Sequence, residues 1–250
     1  MFHATLDSSK TWKQIVDALA TLLTEAHFLI KSNGISLIQY DSSRAAMIDL
    51  FLPSDIFQEY NCKGEHAVSL GLDELVKVSK RIAGDDRLEF NLDETQNRFE
   101  IRMIGQAERT FKIQILTPPE ERTQKISPTF EIRAEMLSDA FKQAVKDIGV
   151  VSNHMKITVR KGSLDFGGVG DVGEAEVSMS LGDESLLQSL EVKQDATSMY
   201  ALSYLTEIAK AISSETLTLR MTGNKPVMLE FSIAEGGLIK FLLAPRIERR

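Results

Sequence analysis

At 250 residues, with 43% hydrophobic and 26% charged side chains, the chain is long enough to bury a large core and is ordinary in composition for a soluble globular protein. No apolar run approaches the ~18 residues of a membrane helix. The single cysteine, Cys62, leaves no disulfide framework and no thiolate metal cluster. The opening MFHATLDSSK lacks the basic-then-apolar layout of a signal peptide, so a reducing, intracellular home is expected. The formal net charge of −7 divides into −4 over residues 1–116, 0 over 117–128 and −3 over 129–250. Neither half is a basic arm, so a role with nucleic acid would have to come from where the cations sit.

Taken in order, Trp12, Ile15, Val16, Leu19, Leu22 and Leu23 recur at helical spacing behind Asp7, Ser8 and Ser9, which suit a helix N-terminus. Short runs of strand character follow: HFLIKS, ISLIQYD, AAMIDLFL and HAVSL. A second helix is predicted from Leu72, Leu75, Val76, Ser79 and Ile82, with Asp73 and Glu74 at its N-terminal end, where the helix dipole favours acids. RLEFNL, RFEIRM and TFKIQIL close the half. Then comes TPPEERTQKISP, residues 117–128, which holds three of the six prolines and reads as a semi-rigid connector. Beyond it the pattern predicts a helix over 134–148, strands, a helix over 203–212, and the strands LTLRM, VMLEFSI and LIKFLL.

The two sides of the connector match each other. WKQIV at Trp12 faces FKQAV at Phe141, Gly34 faces Gly162, LDELVKVSKRI at Leu72 faces LSYLTEIAKAI at Leu202, and FKIQILTPP at Phe111 faces IKFLLAPRI at Ile239, at offsets of 128 to 130 residues. Four matches in order at nearly one spacing indicate a duplicated domain. The expected division is 1–116, a connector 117–128, and 129–250. Two short helices against many antiparallel strands in each half make the fold class α+β.

With the apolar stripes set aside, each helix shows lysine on its other face. These are Lys10 and Lys13 on the first, Lys77, Lys80 and Arg81 on the second, Lys142 and Lys146 on the third, and Lys210 on the fourth. One reading is four ordinary solvated faces. The other is a single concave surface, positive against an acidic exterior, that holds phosphates without reading sequence.

Several motifs carry no chemistry. Gly168 to Gly173 spells G-x-G-x-x-G, but a dinucleotide site needs a helix after it, and EAEVSMSL alternates as a strand, so a hairpin loop is expected. His3, His27, His66 and His154 are scattered without metal-ligand spacing. Asp85–Asp86 and Glu120–Glu121 read as solvated turn pairs, and Cys62 as an inert thiol. Neither catalysis nor a cofactor or metal is expected. Two runs have the look of edge strands, one with Arg109, Phe111, Ile113 and Ile115, the other with Val177, Met179 and Leu181. They are either covered within the chain or paired between chains, a heterologous contact that closes a ring or grows a filament. The proline-broken apolar tail Leu242–Ile247, beside the connector, is a candidate groove for a partner peptide.

Asp41-Ser42-Ser43 followed by an apolar strand, the run YALSYLTEIAKA, and above all the closing EFSIAEGGLIKFLLAPRIE after Pro226 carry a resemblance over essentially the whole chain. The chain resembles the sliding clamps of the proliferating cell nuclear antigen family, most closely the archaeal ones. The resemblance implies two tandem copies of a clamp domain, with antiparallel sheets outside and four helices lining the inner face of a ring of three subunits around duplex DNA. It implies DNA contacts by Lys10, Lys13, Lys77, Lys80, Arg81, Lys142, Lys146 and Lys210. It places a client groove at Tyr40, Arg44, Ala45, Ile126, Pro226, Leu242, Leu243, Ala244, Pro245, Arg246 and Ile247. The partners implied are double-stranded DNA, further copies of the chain, and DNA polymerase, flap endonuclease, DNA ligase and an ATP-driven clamp loader recruited through short peptides, with no membrane. The implied location is on chromosomal DNA, in an archaeon or in a nucleus. Three alternatives stand beside it. One is a subunit of a ring of three different chains, another a scaffold that binds no DNA, and the third a duplicated enzyme with a dispersed site.

Overall fold

Hydrophobic periodicity sorts the chain into strands of period two and four short amphipathic helices, as a computed structural model shows for residues 1–84, 86–120, 123–182, 186–234 and 236–246. The chain divides into two units, one comprising residues 1–42, 48–125 and 232–239, the other 43–47, 126–231 and 240–250.

The first unit contains β1 (Phe2–Leu6), α1 (Ser9–Ala20), β2 (Glu25–Lys31), β3 (Gly34–Tyr40), most of β4 (Ala46–Pro53), β5 (Glu59–Cys62), β6 (His66–Gly71), α2 (Leu72–Ser79), β7 (Arg87–Asp93), β8 (Arg98–Ile104) and β9 (Glu108–Gln114). Its strands lie in a five-stranded antiparallel sheet, β5-β1-β7-β8-β9, and in the run β4-β3-β2-β6. Ser8 caps α1 by accepting a hydrogen bond from the Thr11 amide at 3.4 Å. Trp12, Ile15, Val16 and Leu19 on α1, and Leu75 and Val78 on α2, are buried. Trp12 packs its ring 4.7 Å from that of Phe90 on β7.

The second unit repeats the plan. β10 (Ile132–Leu137) leads into α3 (Ser138–Ile148), then β11 (His154–Arg160), β12 (Ser163–Gly170), β13 (Gly173–Ser180), β14 (Leu187–Val192), β15 (Ala196–Ala201), α4 (Leu202–Ala211), β16 (Thr216–Met221) and β17 (Val227–Ile233). β18 (Gly237–Leu243) closes the series. Strand order is β14-β10-β16-β17-β18 in one run and β13-β12-β11-β15 in a four-stranded sheet. Both orders reproduce those of the first unit strand for strand, so the duplication read from the sequence holds at the level of topology. Phe141 on α3 is fully buried with its ring edge-on to Phe166 at 5.9 Å.

Two local readings are corrected. The helix expected over 134–148 begins only at Ser138. Residues 132–137 form β10, paired on both sides, with Ile132, Ala134 and Met136 buried in strand alternation. Two ladders outweigh the helical preference of Ala-Glu-Met-Leu. Asp86, expected in a solvated turn, is only 1% exposed, and its neighbour Asp85 lies outside the described residues. The glycine motif is a hairpin with Gly170 opposite Gly173. A Cβ on Gly170 would fall 1.8 Å from the Val151 carbonyl oxygen, so the glycine permits close packing behind α3 rather than phosphate binding.

Candidate nucleic-acid interface and partner groove

In the first unit α1 and α2 pack side by side, and their outward faces carry the cations. Lys10, Lys77, Lys80 and Arg81 are exposed, and none forms an ion pair with a described residue. Lys13 is different. Its Nζ donates to the Ile82 carbonyl at 2.8 Å, so it satisfies a main-chain acceptor in the turn just beyond α2. Lys13 thus has a structural task that spacing alone did not reveal.

In the second unit α3 and α4 pack likewise. Lys142 Nζ lies 3.4 Å from Asp139 Oδ1, and Lys210 Nζ lies 2.7 Å from Glu207 Oε1, each an acid three residues earlier on the same helix. Lys146 is exposed, and Gln143 rather than a lysine meets Asp147, at 2.7 Å. Exposed pairs of this kind contribute little to stability, but they reduce the free positive charge that the face presents.

The two edge-like runs lie at sheet edges. β9 is the outer strand of the five-stranded sheet and β13 of the four-stranded one. On β9, Ile113 and the following Ile115 are buried, Phe111 is half-buried opposite Ile101, and Thr110, Lys112 and Gln114 are exposed. On β13, Met179 is buried opposite Leu164, Val177 is half-buried opposite Phe166, and Leu181 beyond the strand is 49% exposed. Arg109 does not face outward. Its guanidinium turns back to Asp86 and to the Arg81 carbonyl at 2.7 Å.

Of the groove residues, the second unit brings Ala45 and Ala244 together through an Ala244 amide to Ala45 carbonyl bond of 2.9 Å. Beside Ala45, Arg44 adopts a left-handed backbone (φ 61°), and the Ser43 hydroxyl meets the Tyr204 hydroxyl at 2.6 Å. Ile126 is 49% exposed, whereas Leu242 and Leu243 are 7% and 1% exposed and belong to the core. Ala244 and Arg246 are exposed, and Pro226 and Pro245 are half-buried. The Arg246 amide donates to the Met199 carbonyl at 2.7 Å, which fixes the tail along β15. Tyr40 ends β3 in the first unit, and Ile247 lies outside the described residues. Lys125, which ends the 48–125 stretch of the first unit, pairs with Asp49 at 2.9 Å.

Sequence reasoning missed an open trough of about 1210 Å³ on the second unit, with Lys156 and Arg246 among its cations and Glu174 and Glu176 among its acids. Lys156 comes from β11, the two acids from β13 and Arg246 from the tail, and only the β11–β12–β13 register and the bond of the tail to Met199 assemble them. His154 beside it has its pKa lowered by burial and then by the Arg246 charge. Among the described residues no group of histidines, cysteines and carboxylates is arranged to hold a metal. Cys62 donates to the Gly64 carbonyl at 3.5 Å, and burial raises its pKa, which disfavours the reactive thiolate. No helix among the described residues is long and apolar enough to cross a membrane.

Two tandem units of like topology, each with a cation-bearing helix pair and an edge strand, define a clamp-like architecture. Residues 1–116 match the family model described as proliferating cell nuclear antigen, N-terminal domain, and residues 127–246 match the C-terminal domain model. The chain belongs to the proliferating cell nuclear antigen family. It is 38% identical over 242 residues to the DNA polymerase sliding clamp of Thermofilum pendens, covering 96% of this chain and 97% of the relative. It is 33% identical over 248 residues to that of Pyrococcus abyssi, covering 99% of each. Among solved structures, PCNA from Thermococcus kodakaraensis superposes with a TM-score of 0.93 at 26% identity, covering 98% of this chain and 100% of that one.

Proposed function

We propose that this chain is a DNA sliding clamp, a ring-forming processivity factor that tethers DNA polymerase to duplex DNA and has no catalytic role of its own. Two things support this reading: membership of the family over both domains, and an exposed lysine on every one of the four helices of a chain with net charge −7. Cations so placed attract phosphate without reading bases. A topological link to DNA then removes the need for tight contacts, and tethering raises the effective concentration of a bound polymerase.

The finer reading is a ring of three identical chains, with the helices inward and β9 of one chain beside β13 of the next, working on chromosomal DNA. Residues 117–128 would connect the domains 1–116 and 129–250, and Arg44, Ala45, Ile126, Pro226 and 244–246, all of the second unit, would form the outer groove. Short peptides of polymerase, flap endonuclease, ligase and loader would dock there. Ile126→Ala and Pro245→Ala are the variants that test the groove. Each is expected to weaken a client peptide about tenfold in calorimetry, because a smaller side chain leaves part of the peptide's apolar surface uncovered. Leu243→Ala is not suitable, since truncating a core residue 1% exposed would destabilise the fold first.

The test of the clamp itself is topological. The chain is incubated with linear duplex tethered to a bead at one end, and the free end is then blocked with a bulky protein before a high-salt wash. Retention only on blocked duplex is the expected result, and equal loss from blocked and open duplex overturns the reading. Light scattering sets the stoichiometry: three chains of 27.9 kDa give about 84 kDa. A smaller species that closes only with other subunits would favour a ring of different chains.

A further inference from the structure

The end of α2 is held by side chains from elsewhere in the first unit. The Arg81 carbonyl accepts from Arg109 Nη1 at 2.7 Å, the Ile82 carbonyl from Lys13 Nζ at 2.8 Å, and the Gly84 carbonyl from Ser9 Oγ at 3.1 Å. All three carbonyls lie in the turn just beyond α2, which ends at Ser79 with Lys80 as its cap, and two of the three donors are cations, which the C-terminal end of the helix dipole favours.

Behind Arg109 stands Asp86, buried at 1% exposure. Its Oδ2 accepts from the Ala83 amide at 2.7 Å and from Arg109 Nη2. Its Oδ1 has no hydrogen-bond partner among the described residues, and a Cβ on residue 105 would fall 2.2 Å from it, so Gly105 lets the main chain close over the carboxylate. A buried carboxylate with one cationic partner becomes costly when that partner is removed. Arg109 itself belongs to β9, the sheet edge. One guanidinium therefore joins the edge strand, the buried acid and the Arg81 carbonyl just beyond α2, beside the cations Lys77, Lys80 and Arg81.

We propose that Asp86 and Arg109 are positioning residues that lock the cation-bearing end of α2 to the edge strand β9, so that assembly through β9 and presentation of the α2 cations to DNA are coupled. This rests on the clamp reading. Pairing of β9 with another chain steadies Arg109, Arg109 steadies the α2 end, and the cations are held where phosphates pass. By linkage, DNA contact at α2 favours assembly through β9 in return.

The test uses the full chain with Asp86→Asn and Arg109→Lys. Asn keeps the shape and an acceptor for the Ala83 amide but removes the charge. Lys keeps the charge but not the fork that reaches two acceptors at once. Three quantities are read: hydrogen exchange at Ala83 and the last turn of α2, mass by light scattering, and retention on end-blocked duplex against salt. Both variants are expected to speed exchange at Ala83 at least tenfold, to keep the assembled mass, and to shorten retention several-fold with a shallower salt dependence. Wild-type Ala83 should also exchange more slowly in the assembled species than in diluted chains, a comparison that needs no variant. Unchanged exchange in both variants, equal wild-type exchange at high and low concentration, or retention lost only in step with mass would each overturn the coupling. A wild-type chain that neither assembles nor stays on blocked duplex would overturn the clamp reading, and the coupling with it. An assembled, retained wild type with unaltered variants removes the coupling alone.

Discussion

The α1–α2 pair and the α3–α4 pair occupy equivalent places in equivalent sheets, yet they present charge differently. On the first pair Lys10, Lys77, Lys80 and Arg81 have no acidic partner among the described residues, while on the second Lys142 and Lys210 are each matched by an acid three residues earlier. The helices' inner faces answer to the core, which both units must fill; their outer faces answer only to solvent and whatever passes by. Topology is therefore repeated strand for strand and electrostatics is not. The expected consequence is that the first pair's face attracts phosphate more strongly than the second's.

The largest expected effect concerns the anchors beneath those faces. Trp12 and Phe141 hold the same repeat position, but the indole Nε1 of Trp12 is buried with no partner among the described residues, while Phe141 has no polar side-chain atom to satisfy. Phe141→Ala should cost about 3–5 kcal/mol of stability. Trp12→Phe should cost under about 1.5 kcal/mol, because losing packing is offset by removing an unsatisfied donor. Urea melts of both variants check the contrast, and equal losses would show that the two anchors are equivalent.

Next come the cations. Replacing Lys77, Lys80 and Arg81 together by Gln should shorten retention on end-blocked duplex about tenfold and flatten its salt dependence by roughly one unit of slope for each phosphate no longer neutralised. The matching Lys142, Lys146 and Lys210 triple should change retention only about two- to threefold, since Lys142 and Lys210 already share their charge with acids on their own helices. If the second triple costs as much as the first, the local acids do not mask their lysines. A smaller and opposite change is expected when those acids are removed. Asp139→Asn with Glu207→Gln frees Lys142 and Lys210 and should lengthen retention by about twofold, with stability nearly unchanged because exposed pairs contribute little.

How much of this was legible in the sequence depends on whether the determining contact is local. The helix stripes and the hairpin at Gly168–Gly173 are local patterns and the repeat shows when the chain is compared with itself; each is found in the fold, except that Leu22, Leu23 and Ile82 lie just past the ends of their helices. β1 and β5 were not seen, since FHATL and EYNC are too short to show a period and gain their ladders from β7 and from each other. β10 was read as helix because Ala-Glu-Met-Leu has helical preference, and only β14 and β16, more than fifty residues on, decide otherwise. At the site, lysines on outward faces could be counted from spacing. That Lys13 bonds a carbonyl 69 residues away, or that Asp86 is buried under Arg109, could not. Leu242 and Leu243 looked like a surface groove because a proline follows them, whereas β18 carries them into the core.

The last contrast is in acid response. His27 on β2 and His154 on β11 lie on equivalent strands, and burial lowers the pKa of each below its ordinary 6.5. For His27 the neighbouring Glu25 works against burial, while for His154 the Arg246 charge works with it. A histidine whose folded pKa is depressed binds fewer protons in the folded chain than in the unfolded one below pH 6.5. Its contribution to stability is therefore intact above 6.5 and is lost as the pH falls from there through the depressed folded value. The melting temperature should fall between about pH 7.5 and pH 5.5, and His27→Gln or His154→Gln should each flatten part of that fall. Salt separates the two units. Added salt screens the Arg246 charge and raises the folded pKa of His154, so the His154 share of the acid loss shrinks. The same screening weakens the opposing Glu25 charge and leaves burial to act alone on His27, so the His27 share grows. Acid-limb melts of the two variants at low and high salt should therefore move in opposite directions, and parallel movement would mean that neither neighbour's charge reaches its histidine.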